Sequence, residues 1–194
     1  MKSTLKLLLL SLTAALILTS CEKDENSPKK IIVKMGAQSN TTIGAFYSIG
    51  QNKVYTQDLA YTKQDTIDLL CFYEHDELNN RINDITISSP GANITGIFTG
   101  ETSPDVWTVK RLTTFTLPAT EIDTVTFDQL KQDDEVIESY YNSTITSGNK
   151  KAKLLQKNDI YAFLTHDSIY GLFRVLDVAL GVDGYVEVEL KLKK

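Results

Sequence analysis

Two histidines, two cysteines and one tryptophan among 194 residues set narrow bounds on the chemistry available to this chain. A nucleophile activated by imidazole has only His75 and His166 to draw on. His75 stands in Glu74-His75-Asp76-Glu77, and neighbouring side chains on an extended segment point in different directions. The run is therefore expected to be a solvated strand end and not a metal site, while His166 falls in an expected turn. Gly-x-Ser-x-Gly, His-Glu-x-x-His, Cys-x-x-Cys, the Gly-Lys-Ser/Thr phosphate loop and a dinucleotide fingerprint are all missing, so the sequence implies no cofactor. Paired carboxylates need none of these motifs. The 25 acidic residues thus leave a small carboxylate-dependent hydrolase, such as a glycoside hydrolase, as the catalytic alternative to a non-catalytic binding or accessory domain.

Basic residues are outnumbered, 20 against 25, and Lys29-Lys30 and Lys150-Lys151 are isolated pairs rather than a stripe. Nucleic-acid binding rests on neutralised phosphates, and an acidic chain without a basic track is not expected to bind them.

Long apolar runs are also scarce. Lys2 and Lys6 precede one such run, Leu7 to Leu18, which is short of the roughly 20 residues a spanning helix needs. It reads as the apolar core of a secretory signal. Leu18-Thr19-Ser20-Cys21 resembles the bacterial lipobox, which implies cleavage before Cys21 and acylation of Cys21 by fatty chains such as palmitate. Those chains would then be the membrane attachment. Loss of residues 1–20 removes two lysines and no acid, taking the formal charge from −5 to −7. With Cys21 acylated, Cys71 is left without a disulfide partner. It stands in the apolar run Ile67 to Tyr73, where a free cysteine packs as a small hydrophobe. Lys23-Asp24-Glu25 resembles the export signal of Bacteroidetes surface lipoproteins, implying a lipid-anchored protein of the outer membrane, displayed on the cell surface.

Three segments follow: a signal peptide at 1–20, a flexible tether at 21–30 containing Asn26-Ser27-Pro28, and a single β-rich domain at 31–194. The expected class is α+β and mainly β, an antiparallel sheet or sandwich. Ile31 to Met35 reads as a strand, and Ala45 to Ile49 and Lys53 to Tyr55 as a hairpin about Gly50-Gln51-Asn52. Ile67 to Tyr73 reads as a central strand, and Asp84 to Ser88 as one with an edge or face in water. One or two short helices are expected near 126–142, capped by Thr126 with Gln129. Asp128, Asp133, Asp134 and Glu135 suit helix starts; the alternating ligands and central glycine of a calcium loop are missing, so no metal is expected. Asp159 to Thr165, Tyr170 to Val178 and Tyr185 to Lys193 read as a three-strand meander. In its last strand Val186, Val188, Leu190 and Leu192 alternate with Glu187, Glu189, Lys191 and Lys193, which predicts one wet face and a charged outer edge.

Taken together, Lys34-Met35-Gly36-Ala37-Gln38, Thr66-Ile67-Asp68-Leu69, Ser88-Ser89-Pro90-Gly91, Trp107, Asp159 to Phe163 and Tyr170-Gly171-Leu172 resemble a group of uncharacterised Bacteroidetes lipoproteins. The resemblance implies location and adds no mechanism. Asp65-Thr66-Ile67, Asp123-Thr124-Val125 and Asp167-Ser168-Ile169 resemble the Asp-Ser/Thr-apolar O-glycosylation site of such bacteria, making Ser168, Thr124 and Thr66 candidate modification sites. Trp107 follows a long Gly/Pro/Asn-rich stretch, Ser89 to Val106. It is the candidate platform for a glycan or protein ligand, against the plainer expectation that a single tryptophan plugs the core.

Overall fold

The computed structural model describes residues 30–194. Cys21, the lipobox and most of the tether lie outside the described residues. The fold is mainly β: the described residues form two antiparallel sheets packed face to face, with nine strands and three short α-helices. The larger sheet runs β1 (Ile31–Gly36), β9 (Tyr185–Lys193), β8 (Tyr170–Ala179), β7 (Ile160–Leu164) and β6 (Thr114–Thr116). The smaller runs β3 (Lys53–Tyr55), β2 (Phe46–Ser48), β4 (Leu69–Asp76) and β5 (Arg81–Ser88).

Alternation along the strands builds the core. Val33 and Met35, Phe173 and Val175, and Val186 to Leu192 at every second position meet Tyr47, Leu69, Cys71, Ile85 and Ile87 from the facing sheet. Period-two side chains on two sheets are what a sandwich interior requires. Burial pushes the Cys71 thiol up, well away from thiolate formation, consistent with an inert packing role.

Both outer faces are covered as well. Phe46, Tyr55, Leu70 and Phe72 lie beneath the long connection after β5 and beneath α1 (Gln57–Tyr61), which bring Phe98, Trp107 and Ala60 onto them. On the other side α2 (Thr124–Gln129) and α3 (Val136–Ser139) lay Phe127, Leu130 and Ile137 over Ile160, Ala162 and Leu172. The cap of α2 is Asp123, whose carboxylate accepts from the Thr126 N–H at 2.7 Å, and not Thr126 itself. An acid placed at the dipole's positive end both satisfies that donor and is favoured there, and these bonds hold the Asp123 carboxyl below the usual range.

The meander of β7, β8 and β9 forms as expected, but its last strand differs in two respects. β1 pairs with β9 along Ile31 to Gly36, opposite Leu190 to Tyr185, so β9 is an interior strand. The middle of its charged face is also not wet, although Glu187 and Lys193 to either side are half-exposed. Glu189 is 1% and Lys191 2% exposed, beneath the Phe127 ring, whose centroid lies 5.4 Å from Lys191 Nζ and 5.0 Å from Arg174 Cζ. Glu189 Oε2 accepts from Arg174 at 2.9 Å and lies 3.4 Å from Lys30 Nζ; its Oε1 is 3.2 Å from Lys191 Nζ. Arg174 extends the network to Asp128 at 2.8 Å. Opposite charges two apart on one strand neutralise each other, and a helix can then close over them.

From Asp84 to Ser88 β5 likewise has no wet face or edge, while Ile82 and Asn83 before it are exposed. Asp84, Thr86 and Ser88 are all fully buried. Ile87 exchanges backbone bonds with Ala152 at 2.8 and 2.9 Å, and the Leu154 N–H reaches Asp84 Oδ1 at 2.5 Å. The segment around Ala152 thus satisfies the edge in place of water.

Candidate functional site

The strand directions define two ends. The chain enters at Ile31, where the β7–β8 turn also lies. At the far end β1 finishes at Gly36 opposite Tyr185, and β8 at Ala179. There residues 37–44 cross from the larger sheet to the smaller as a loop tied at many points. The Ala37 and Ser39 N–H groups donate to Gly184 and Val182 carbonyls at 2.8 and 2.9 Å. Asn40 Nδ2 donates to Asp183 and Gly184 carbonyls at 2.8 and 3.2 Å, and its Oδ1 accepts from the Ile43 N–H at 3.1 Å. Gln38 pairs with the Tyr73 backbone in both directions, at 2.8 and 2.9 Å. Gly44 closes the loop at φ +86°, where an added Cβ would stand 2.5 Å from the Tyr55 carbonyl oxygen. Both the left-handed conformation and the close approach demand glycine.

Beside this loop opens a cavity of about 360 Å³, within the usual range for small-ligand sites. It is lined by Gln38, Asn40, Thr41 and Gly44 to Phe46 together with Thr56 to Asp58 and Phe98. The wall carrying Gln57 and Asp58 is braced from behind. Gln57 Nε2 donates to the Thr99 carbonyl and to Thr102 Oγ1, at 2.8 and 3.1 Å, and Thr102 Oγ1 donates to Asp58 Oδ1 at 2.7 Å. Trp107 Nε1 in turn donates to the Thr102 carbonyl at 2.9 Å.

Trp107 is therefore not the surface platform considered from sequence. It is 4% exposed, packed 5.4 Å from the Phe46 ring centroid, and acts on the cavity indirectly, through Thr102. A ring this apolar gains more from the covered sheet face than from water, and its one donor finds a carbonyl. Its emission is expected to be blue-shifted and to resist iodide quenching in the folded chain. Red-shifted, readily quenched emission would contradict this placement.

The other singled-out residues are scattered. Thr66 lies in a single 3-10 turn, half-buried, its hydroxyl donating to the Lys63 carbonyl at 2.9 Å. Thr124 opens α2 and is half-buried, whereas Ser168 is exposed at φ 62° in the β7–β8 turn of the entry end. His75 Nδ1 accepts from the Asn83 N–H at 3.3 Å and its Nε2 is 3.6 Å from Glu77; His166 is exposed in the same turn as Ser168. Glu74 and Asp76 stand together near the cavity, both paired to Arg81, at 3.2 and 2.8 Å. The Asn79 amide, and then Arg81, hold the Asp76 carboxyl below its usual range, which suits an acceptor and not a proton donor. The carboxyl raised by burial is Asp68, opposed by the Ile49 N–H at 2.8 Å and by Arg111 at 2.9 Å. It precedes β4, about 26 Å from Asp76 along the strand at ~3.3 Å per residue.

Sequence reasoning passed over Gln38, Asn40, Thr41 and Asp58. A signal was present: Gln38-Ser39-Asn40-Thr41-Thr42 is an unbroken run of amides and hydroxyls. In comparisons with protein-family models, curated proteins and solved structures, none matches this chain.

Proposed function

We propose that this chain is a lipid-anchored outer-membrane protein, displayed outward, whose domain is a non-catalytic module for binding glycans. The observation that carries the binding reading is the braced far-end cavity. Its amides Gln38, Asn40 and Gln57 and its carboxylate Asp58 are held by hydrogen bonds before a ligand arrives, beside Phe46 and Phe98. Sugar rings offer apolar faces and vicinal hydroxyls, and fixed polar partners reduce the ordering cost of binding them. Among the described residues no Lys or Arg lines the cavity, which disfavours anionic ligands. Anchoring is supported by Leu18-Thr19-Ser20-Cys21. The chain enters the domain at Ile31, separated from the cavity loop by β1, about 17 Å long at ~3.4 Å per residue, so the cavity lies at the end remote from the tether.

Two measurements test the reading. Alkynyl palmitate fed to cells should label the wild type and not Cys21→Ala; equal labelling would remove the anchor. Titration with oligosaccharides should show binding that Thr41→Arg, at an exposed rim position, weakens about tenfold or more, equivalent to ~1.4 kcal/mol. An unchanged affinity would place binding elsewhere.

A further inference from the structure

Resting on that reading, we infer that the ligand is an extended chain of several sugar units, which crosses the loop at Thr41 and occupies a second groove on its other side. This groove, of about 580 Å³, is bounded by Ser39 to Ile43 together with Asp183 and Tyr185. It shares Asn40 and Thr41 with the cavity, so the loop is a ridge with a site on each flank.

The ridge is tied down at its crest. Asn40 binds the Asp183 and Gly184 carbonyls with its amide nitrogen and the Ile43 N–H with its oxygen, pinning the crest to the β8–β9 turn. A ligand reaching both flanks must pass over the exposed Thr41. The groove offers what a second sugar needs: the hydroxyls of Ser39 and Thr42, and a half-exposed Tyr185 ring. That ring is itself held, with Lys34 Nζ 3.5 Å from its centroid and its hydroxyl donating to Asp177 at 2.6 Å. A third depression meets the cavity at Gln38, but it is lined by Glu74, His75 and Asp76, whose carboxylates are taken by Arg81. The polar flank at Thr42 is the better continuation for a neutral chain.

A single sugar fills one flank and a longer chain fills both, so affinity should depend on length. The test is calorimetric titration of the full mature chain with gluco-, manno-, xylo- and N-acetylglucosamine oligomers of one to six units. In the series that binds, affinity should rise at least tenfold between one and four units and then level off. Thr42→Arg, in the groove alone, should bring the longest oligomer down to the affinity of the single unit, while Asp58→Ala, in the cavity alone, should weaken every length. Far-ultraviolet circular dichroism checks that each variant is folded. Binding that is flat with length, or indifferent to Thr42→Arg, overturns the extended-ligand inference and leaves the cavity reading standing. Failure of all four series, or binding of unstructured peptides in their place, overturns both.

Discussion

Replacing Glu189 with glutamine is expected to lower folding stability by about 3–5 kcal/mol, the range for removing one partner of a buried ion pair. The carboxylate is 1% exposed and is approached by Arg174, Lys191 and Lys30. Without its charge, Lys191 loses its buried carboxylate partner and rests against the Phe127 ring, and Arg174 keeps Asp128, whose side chain is 48% exposed. For a domain of this size the melting temperature should fall by roughly 10 °C, at ~2–4 °C per kcal/mol. The companion variant separates pairing from packing. Arg174→Met, Glu189→Leu and Lys191→Met made together should restore stability to within about 1 kcal/mol of wild type or above, because an apolar replacement incurs no desolvation. Denaturant midpoints for the two variants check both statements; a mild loss in Glu189→Gln would mean that water reaches the network.

Phe46→Ala is the second large effect expected, about 3–5 kcal/mol for a fully buried aromatic. Phe46 lies 4.9 Å from Phe98 and 5.4 Å from Trp107 by ring centroids, so it links the cavity lining to the residue that braces Thr102. Truncation should loosen both. The single tryptophan reports this directly: its emission should move to the red and become quenchable under conditions where the far-ultraviolet spectrum still shows strands. A stability loss without any change in emission would uncouple Trp107 from the cavity wall.

Local pattern carried much of this fold. The hairpin about Asn52, which adopts φ 46°, the apolar strand at Leu69 and the meander from Ile160 to Lys193 are short-range features, legible from turn residues and period-two alternation. What the pattern does not contain is coverage. Alternation in Tyr185 to Lys193 identifies which side chains share a face, but nothing in those nine residues says that Phe127 will close over Glu189. Nor does it say that Ile31 to Gly36, some 150 residues earlier, will pair along the strand. The same limit explains Trp107, whose ring packs on Phe46 of β2, far earlier in the chain. β6, three residues long and held by β7 on one side, is too short for any period to show. The cavity was legible only as the polar run Gln38 to Thr42. Its meaning depends on Asn40 meeting Gly184, a contact no local reading supplies.

On the proposed reading, ligand enters at the far end of the sandwich, between the loop at 37–44 and the start of α1. Amide chemical-shift mapping tests it most directly: a ¹⁵N-labelled mature chain is titrated with the oligosaccharide ladders and the perturbed residues are placed on the fold. Shifts should concentrate at Gln38 to Phe46, Thr56 to Asp58 and Phe98 to Thr102, with the β7–β8 turn and the α2–α3 face undisturbed. Shifts centred on Ser168 or on Thr124 to Tyr141, with the cavity silent, would contradict it.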